Sequence, residues 1–323
     1  MILAGDIGGT KTILALYEKG DRGLRLVKEA EYPSASEETF EAILEKFQPN
    51  PSLEGACFGV AGPVLDGKVS VTNLPWVLSE DSLKKILQTD RVKLINDLEA
   101  TSLGMLHLKE DDFEILQKGD ATAPKGTIAV VAPGTGLGEG ILFWDGKRYH
   151  PMASEGGHTD FGPRNELEID LLTFVQDRIK RRVNHEEILC GNGIRHIHDF
   201  LRDRSQAGTP DWLQSELSEG DPNAILTQVG IDEKDSICQE SVALYCTLLG
   251  AEAGNLALTA LSRGGVLLGG GIPPKILPAL RKPHFLEGFL EKGDLSELMK
   301  SIPVRVALNP KAALIGAGHY LFS

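Results

Sequence analysis

ILAGDIGGTKTILALY at residues 2–17 and IAVVAPGTGLGEGILFW at residues 128–144 share one pattern. In each, an apolar run enters a short stretch of Gly and Thr and leaves through a second apolar run, the pattern of strand, tight turn and strand. Amides exposed on a glycine turn point together into a nest that holds phosphate oxygens, and a Thr hydroxyl adds another donor. A hairpin repeated within one chain predicts two related lobes, and two facing nests suit a triphosphate.

Neither turn fits the commoner nucleotide motifs. Gly5, Gly8 and Gly9 do not make GxGxxG, and the chain continues into the β-like run TILALY rather than a helix. No GxxxxGK followed by Ser or Thr occurs either. Asp6 ends an apolar strand, where an acid costs free energy without a partner, and the shell of a Mg²⁺ ion is one candidate partner.

The 323 residues suit two domains with ample cores, and the net charge of −13 argues against nucleic acid or an anionic membrane surface as a partner. Cys57, Cys190, Cys238 and Cys246 form no CxxC pair and lie in apolar or helical stretches, so they read as buried thiols in a reducing compartment, with no structural zinc expected. A strand at Ile2 leaves no room for a leader, and no apolar run is read as long enough to span a membrane, so a cytoplasmic protein is expected.

Along the first lobe, SASEETF predicts a helix over 37–47 capped by Ser36, and VKLIN at 92–96 reads as a strand that turns at Asp97 into a helix. Residues 109–125 read as a connection. In the second lobe, residues 165–182 form an amphipathic helix with acids first and bases last, on which Leu167, Leu171, Phe174, Val175 and Ile179 make the apolar stripe. Residues 202–233 read as polar loops around short helices. A long helix over 235–262 carries Gly250 and Gly254, spaced to admit a neighbouring helix, and a last helix over 311–321 closes the chain.

Asn96 and Asp97 stand at the carboxyl end of a buried strand, where α/β sheets bind ligands. Capping is the ordinary role of an Asp there, but the adjacent Asn suits the pair to neighbouring hydroxyls. Glu155 and His158 flank two glycines and can aim at one polyol. Glu187 would pass for a surface residue.

Together GDIGGTK (5–11), TNLPW (72–76), IND (95–97), GTGLG (134–138), EGGHTDF (155–161), EEILCGNG (186–193) and LLGGGI (267–272) resemble the bacterial glucokinase family, in order and from end to end. The resemblance implies the two-lobed α/β, actin-like ATPase (ribonuclease H-like) fold with duplicated βββαβα cores, closing over ATP in a cleft. It implies a small domain of residues 1–108 plus 310–323, a large domain of 109–309, and a homodimer. The implied activity is Mg²⁺- and ATP-dependent phosphorylation of D-glucose at O6, feeding glycolysis. Gly5, Asp6, Ile7, Gly8, Gly9 and Thr10 would form one phosphate loop and Gly134, Thr135 and Gly136 the other. Gly269, Gly270 and Gly271 would lie near the adenosine, and Asp6 would hold Mg²⁺ through water. Asn96, Asp97, Glu155, His158 and Glu187 would hold the sugar, with Asp97 as base to the 6-hydroxyl.

The chain lacks the CxCGxxGC zinc motif of the related repressor, open-reading-frame and kinase family, and CGNG stands where glucokinases more often have SGPG. A kinase for another hexose and a non-catalytic sugar sensor are the alternatives.

Overall fold

The computed structural model describes residues 1–20, 23–49, 52–120 and 125–322, and divides into two compact units. The first comprises 1–112, 151–153 and 309–323, the second 113–150 and 154–308.

The first unit is built on a five-stranded sheet of β1 (Ile2–Ile7), β2 (Lys11–Gly20), β3 (Gly23–Pro33), β4 (Gly55–Val60) and β7 (Val92–Asn96), in the order β3-β2-β1-β4-β7. Two short strands, β5 (Lys68–Ser70) and β6 (Val77–Ser79), form a separate ribbon. β1 runs antiparallel to β2 and parallel to β4, so its residues alternate between two covered faces. Leu3 and Ile7 pack with Phe40, Ile43 and Phe47 of the helix Phe40–Phe47. On the opposite face Ala4 and Ala15 meet Ala100, Ala313 and Ala317, from the helices Asp97–Met105 and Ala312–Tyr320. Small residues let these two helices touch backbone to backbone. A Cβ on Gly104 would lie 1.8 Å from the Ala312 carbonyl oxygen, and one on Gly316 1.8 Å from that of Ala100.

The second, six-stranded sheet repeats the plan with β8 (Phe113–Gln117), β9 (Ile128–Pro133), β10 (Leu137–Trp144), β11 (Tyr149–Ala153), β12 (Gly265–Leu268) and β13 (Val304–Ala307) in the order β11-β10-β9-β12-β13-β8. The order β11-β10-β9-β12-β13 mirrors β3-β2-β1-β4-β7, and β8 is an addition at the edge. The helix Ser236–Thr259 forms the core, and the helix Pro283–Leu290 packs on it through Gly250, where a Cβ would sit 2.0 Å from the Phe285 carbonyl oxygen.

Three expectations change, and one strand is added. The helix expected from residue 37 starts at Phe40 with Thr39 as cap, while Ser34–Ser36 form a 3-10 turn. Within the supposed connection Phe113–Gln117 is a strand, paired with β13; residues 121–124 lie outside the described residues. The stretch 202–233 holds short helices as expected, Asp211–Glu219 and Pro222–Ile231. β3 had no counterpart in the sequence reading, because an exposed edge strand carries no apolar alternation. Ser236–Thr259 is long and apolar enough to span a membrane, contrary to expectation, but two thirds of its most apolar window is buried in the protein.

Candidate active site

Three loops of the first unit meet at the carboxyl ends of β1, β4 and β7. The turn after β1 is closed by the Gly8 amide donating to the Lys11 carbonyl at 3.0 Å. Its anchor is Ser34, fully buried, whose hydroxyl donates to the Gly8 carbonyl at 2.7 Å and lies 2.9 Å from the Thr12 hydroxyl. The Ser34 amide holds the Thr10 carbonyl at 2.9 Å. Gly9 faces the next loop, since a Cβ there would come within 3.1 Å of the Thr72 carbonyl oxygen. Beyond β7, Asn96 caps the helix Asp97–Met105, accepting the Leu98 amide at 2.8 Å and donating to the Gly62 carbonyl at 3.2 Å. Asn96 is thus the cap, and Asp97 opens the first helical turn, its carboxylate also accepting the Leu98 amide at 2.8 Å.

In the second unit the glycine turn Gly134 to Gly136 closes on itself, with the Gly134 amide donating to the Gly136 carbonyl at 2.8 Å. The Gly191 amide donates to the Gly134 carbonyl at 2.8 Å. Glu186 accepts the Leu137 amide at 2.8 Å, and a Cβ on Gly136 would lie 2.4 Å from its Oε2. The other oxygen of Glu186 is 3.9 Å from Nδ1 of His158, which sits with Glu155 on an exposed 3-10 turn. Gly270 must be glycine, with φ +76° and a Cβ that would strike the Pro133 carbonyl oxygen at 2.5 Å. Beside this turn lies a cavity of about 420 Å³ lined in part by Gly191, Asn223, Gln228, Tyr245, Ile272 and Lys275. Asn223 donates to Asn192 at 3.1 Å, and its buried Oδ1 has no partner among the described residues.

A family model described as Glucokinase matches residues 3–323. The chain belongs to the glucokinase family. Phosphorylation of glucose is the activity that goes with it. Glucokinase from Nostoc punctiforme is 40% identical over 333 residues, covering 98% of this chain and 97% of that protein. A crystal structure of glucokinase from an Antarctic psychrotroph superposes with a TM-score of 0.86 at 28% identity, covering 99% of this chain and 98% of that one. A glucokinase of the repressor, open-reading-frame and kinase family from Streptomyces griseus, solved with glucose and AMPPNP, shares the fold (TM-score 0.63, 19% identity, 99% and 98% covered).

Within this glucokinase fold the structure separates the two adjacent acids of EEILCGNG. The carboxylate of Glu187 pairs with Arg181 at 2.6 Å. Glu186, one position earlier, is the acid beside His158 and the second glycine turn. One helical residue rotates a side chain by about 100°, and sequence alone gave no means of choosing the face. Ser34 was missed as well, because a lone Ser in a polar stretch carries no signal.

Asp6 is pushed up to about 6, first by desolvation and then by the charge of Asp97, against the pull of Lys11. The negative charge of Asp97 disfavours a second one on Asp6. Trp76, in the TNLPW loop, is 3% exposed and packs on Phe40 with ring centroids 6.1 Å apart.

Proposed function

We propose that the protein transfers the γ-phosphoryl group of ATP to O6 of D-glucose, with Asp97 accepting the 6-hydroxyl proton. The observation that carries this assignment is the meeting of the Gly8-Gly9 turn, the Thr72-Asn73 loop and the Asn96-Asp97 pair at one end of the first sheet. Phosphoryl transfer asks chiefly for alignment and charge stabilisation, since its transition state is loose. The amides of Gly9 and Thr10 and of Thr135 and Gly136 would hold phosphate oxygens, on turns that the Gly8 and Gly134 amides close. The cavity beside Gly269 to Gly271 would take the adenosine, with the unpaired Asn223 oxygen as acceptor for an exocyclic amine.

Asn96, Asp97, Glu155 and His158 would hold the sugar hydroxyls, joined by Glu186 in place of Glu187. Asp6 would hold Mg²⁺, directly or through water, and the bound ion would neutralise charge on the β- and γ-phosphates. Buried polar partners reject a sugar that lacks or inverts a hydroxyl, because they are then left unpaired. The two units would be the small and large domains of the family. Free, buried Cys57, Cys190, Cys238 and Cys246 fit a reducing, cytoplasmic setting, and a homodimer is carried over from the family.

The test is glucose-dependent ADP release, measured with ATP and with polyphosphate as donors across glucose, mannose, N-acetylglucosamine and galactose. ATP with glucose should give the highest kcat/KM. Binding of both without turnover would favour a sensor, and preference for another sugar would reassign the substrate.

A further inference from the structure

Behind the Glu155–His158 turn lies a buried acidic cluster that the proposed chemistry does not use. Glu139 on β10 and Glu252 on the helix Ser236–Thr259 are 2% and 5% exposed and bear on one another, and Oε1 of Glu139 is buried with no other partner among the described residues, which sets carboxyl against carboxyl. Such a contact requires a proton on one of them. Glu252 also takes Nε2 of His185 at 3.0 Å and the Asn255 amide at 2.9 Å. Burial pushes His185 down, against the pull of Glu252 and Asp160.

This cluster touches the sugar turn from two sides. A Cβ on Gly156 would lie 2.2 Å from Oε2 of Glu139, so the turn rests directly on that carboxyl. The Glu139 carbonyl accepts the Ser154 hydroxyl at 3.0 Å, and Ser154 in turn accepts the Gly156 amide at 3.0 Å. On the other side the His185 amide donates to the Thr159 carbonyl at 3.1 Å, and the next residue is Glu186. Two other charged groups bear on His185. Asp160 is paired with Arg182, and Lys292 bonds the Ala251 carbonyl and Asn255. His158 and Glu186 face each other above the turn.

We propose that Glu139, Glu252 and His185 form a positioning network for sugar recognition, in which one proton shared by the two carboxyls keeps the Glu155–His158 turn and Glu186 in register for glucose. Loss of that proton leaves two buried carboxylates in contact, and their repulsion displaces Gly156. Glu139 is pushed up to about 8, first by desolvation and then by Glu252, so the loss falls on the alkaline side of neutrality.

The inference rests on the glucose kinase reading, which the same assay at neutral pH tests first: without glucose turnover in the wild type, that reading fails rather than this one. In the wild-type enzyme the glucose KM should rise roughly tenfold from pH 7 to about pH 9.5, while kcat and the ATP KM change far less. Glu139→Gln supplies the donor permanently and should keep a neutral-pH glucose KM across that range. Glu139→Leu removes the donor and should raise the glucose KM about tenfold at pH 7 with kcat little changed. A Glu139→Gln enzyme that follows the wild-type alkaline curve, or a Glu139→Leu enzyme with wild-type glucose KM, overturns the proposal. Should Glu139→Leu not fold, the wild-type and Glu139→Gln curves decide alone.

Discussion

Glu186 accepts the amide of Leu137 at 2.8 Å, and through that bond the helix His185–Leu189 is fastened to the second glycine turn. Glu186→Gln should therefore disturb sugar and nucleotide together. A charged acceptor of this kind contributes about 1.5–3 kcal/mol, so kcat/KM for glucose should drop roughly tenfold to a hundredfold. Glu187→Gln removes only a pair with the exposed Arg181 and should leave kcat/KM within about twofold. The reverse ranking in steady-state kinetics would return the sugar role to Glu187.

Asp97→Asn keeps the shape of the helix start and removes the proposed base. Turnover should fall by ~10²–10⁴ while glucose affinity by calorimetry changes far less. Near-normal turnover would show that another group takes the proton.

Ser34→Ala should act at a distance from either substrate. The Gly8 carbonyl loses its buried donor and the Thr12 hydroxyl its neighbour, at a cost of about 1–3 kcal/mol in urea unfolding. The ATP KM should rise more than the glucose KM if the loop that slackens holds phosphate as proposed. Equal shifts in both would mean a general loss of stability.

Gly104→Ala drives a methyl into the Ala312 carbonyl, and neither helix backbone can withdraw without opening the sheet face they cover. Destabilisation of about 3 kcal/mol is expected, seen as a lower Tm. The same substitution at Gly162, where nothing lies within 4 Å, should cost little and serves as control.

His107 and His319 stack with centroids 3.6 Å apart, and burial together with His107 pushes His319 down to about 4. The unfolded chain binds this proton first, near pH 6.5, so the contribution is intact above that pH and is lost as the pH falls toward about 4. Partial exposure reduces the loss to about 1–2 kcal/mol. Glu139 works in the opposite sense, since its raised value lowers stability as the pH climbs from about 4.5 to about 8. The comparison is therefore between wild type and His319→Gln at each pH. Parallel acid unfolding curves for the two would remove His319 from the account.

The duplicated hairpins, the buried strand before Asn96 and the helix stripe around Leu171 and Val175 are local patterns, and the sequence alone determined them. Apolar alternation and helical spacing are set by which neighbours a residue has in the chain. The ordered set of motifs likewise identified the family. Only the tertiary structure set Glu186 on the second glycine turn and Glu187 on Arg181, gave the cap to Asn96 rather than Asp97, and brought Ser34 under Gly8. It alone drew β8 into the second sheet and joined Glu139, His185 and Glu252 across more than a hundred residues of chain. These are outcomes of strand pairing and burial between distant segments, and a polar residue acquires its partner only when the core has folded around it.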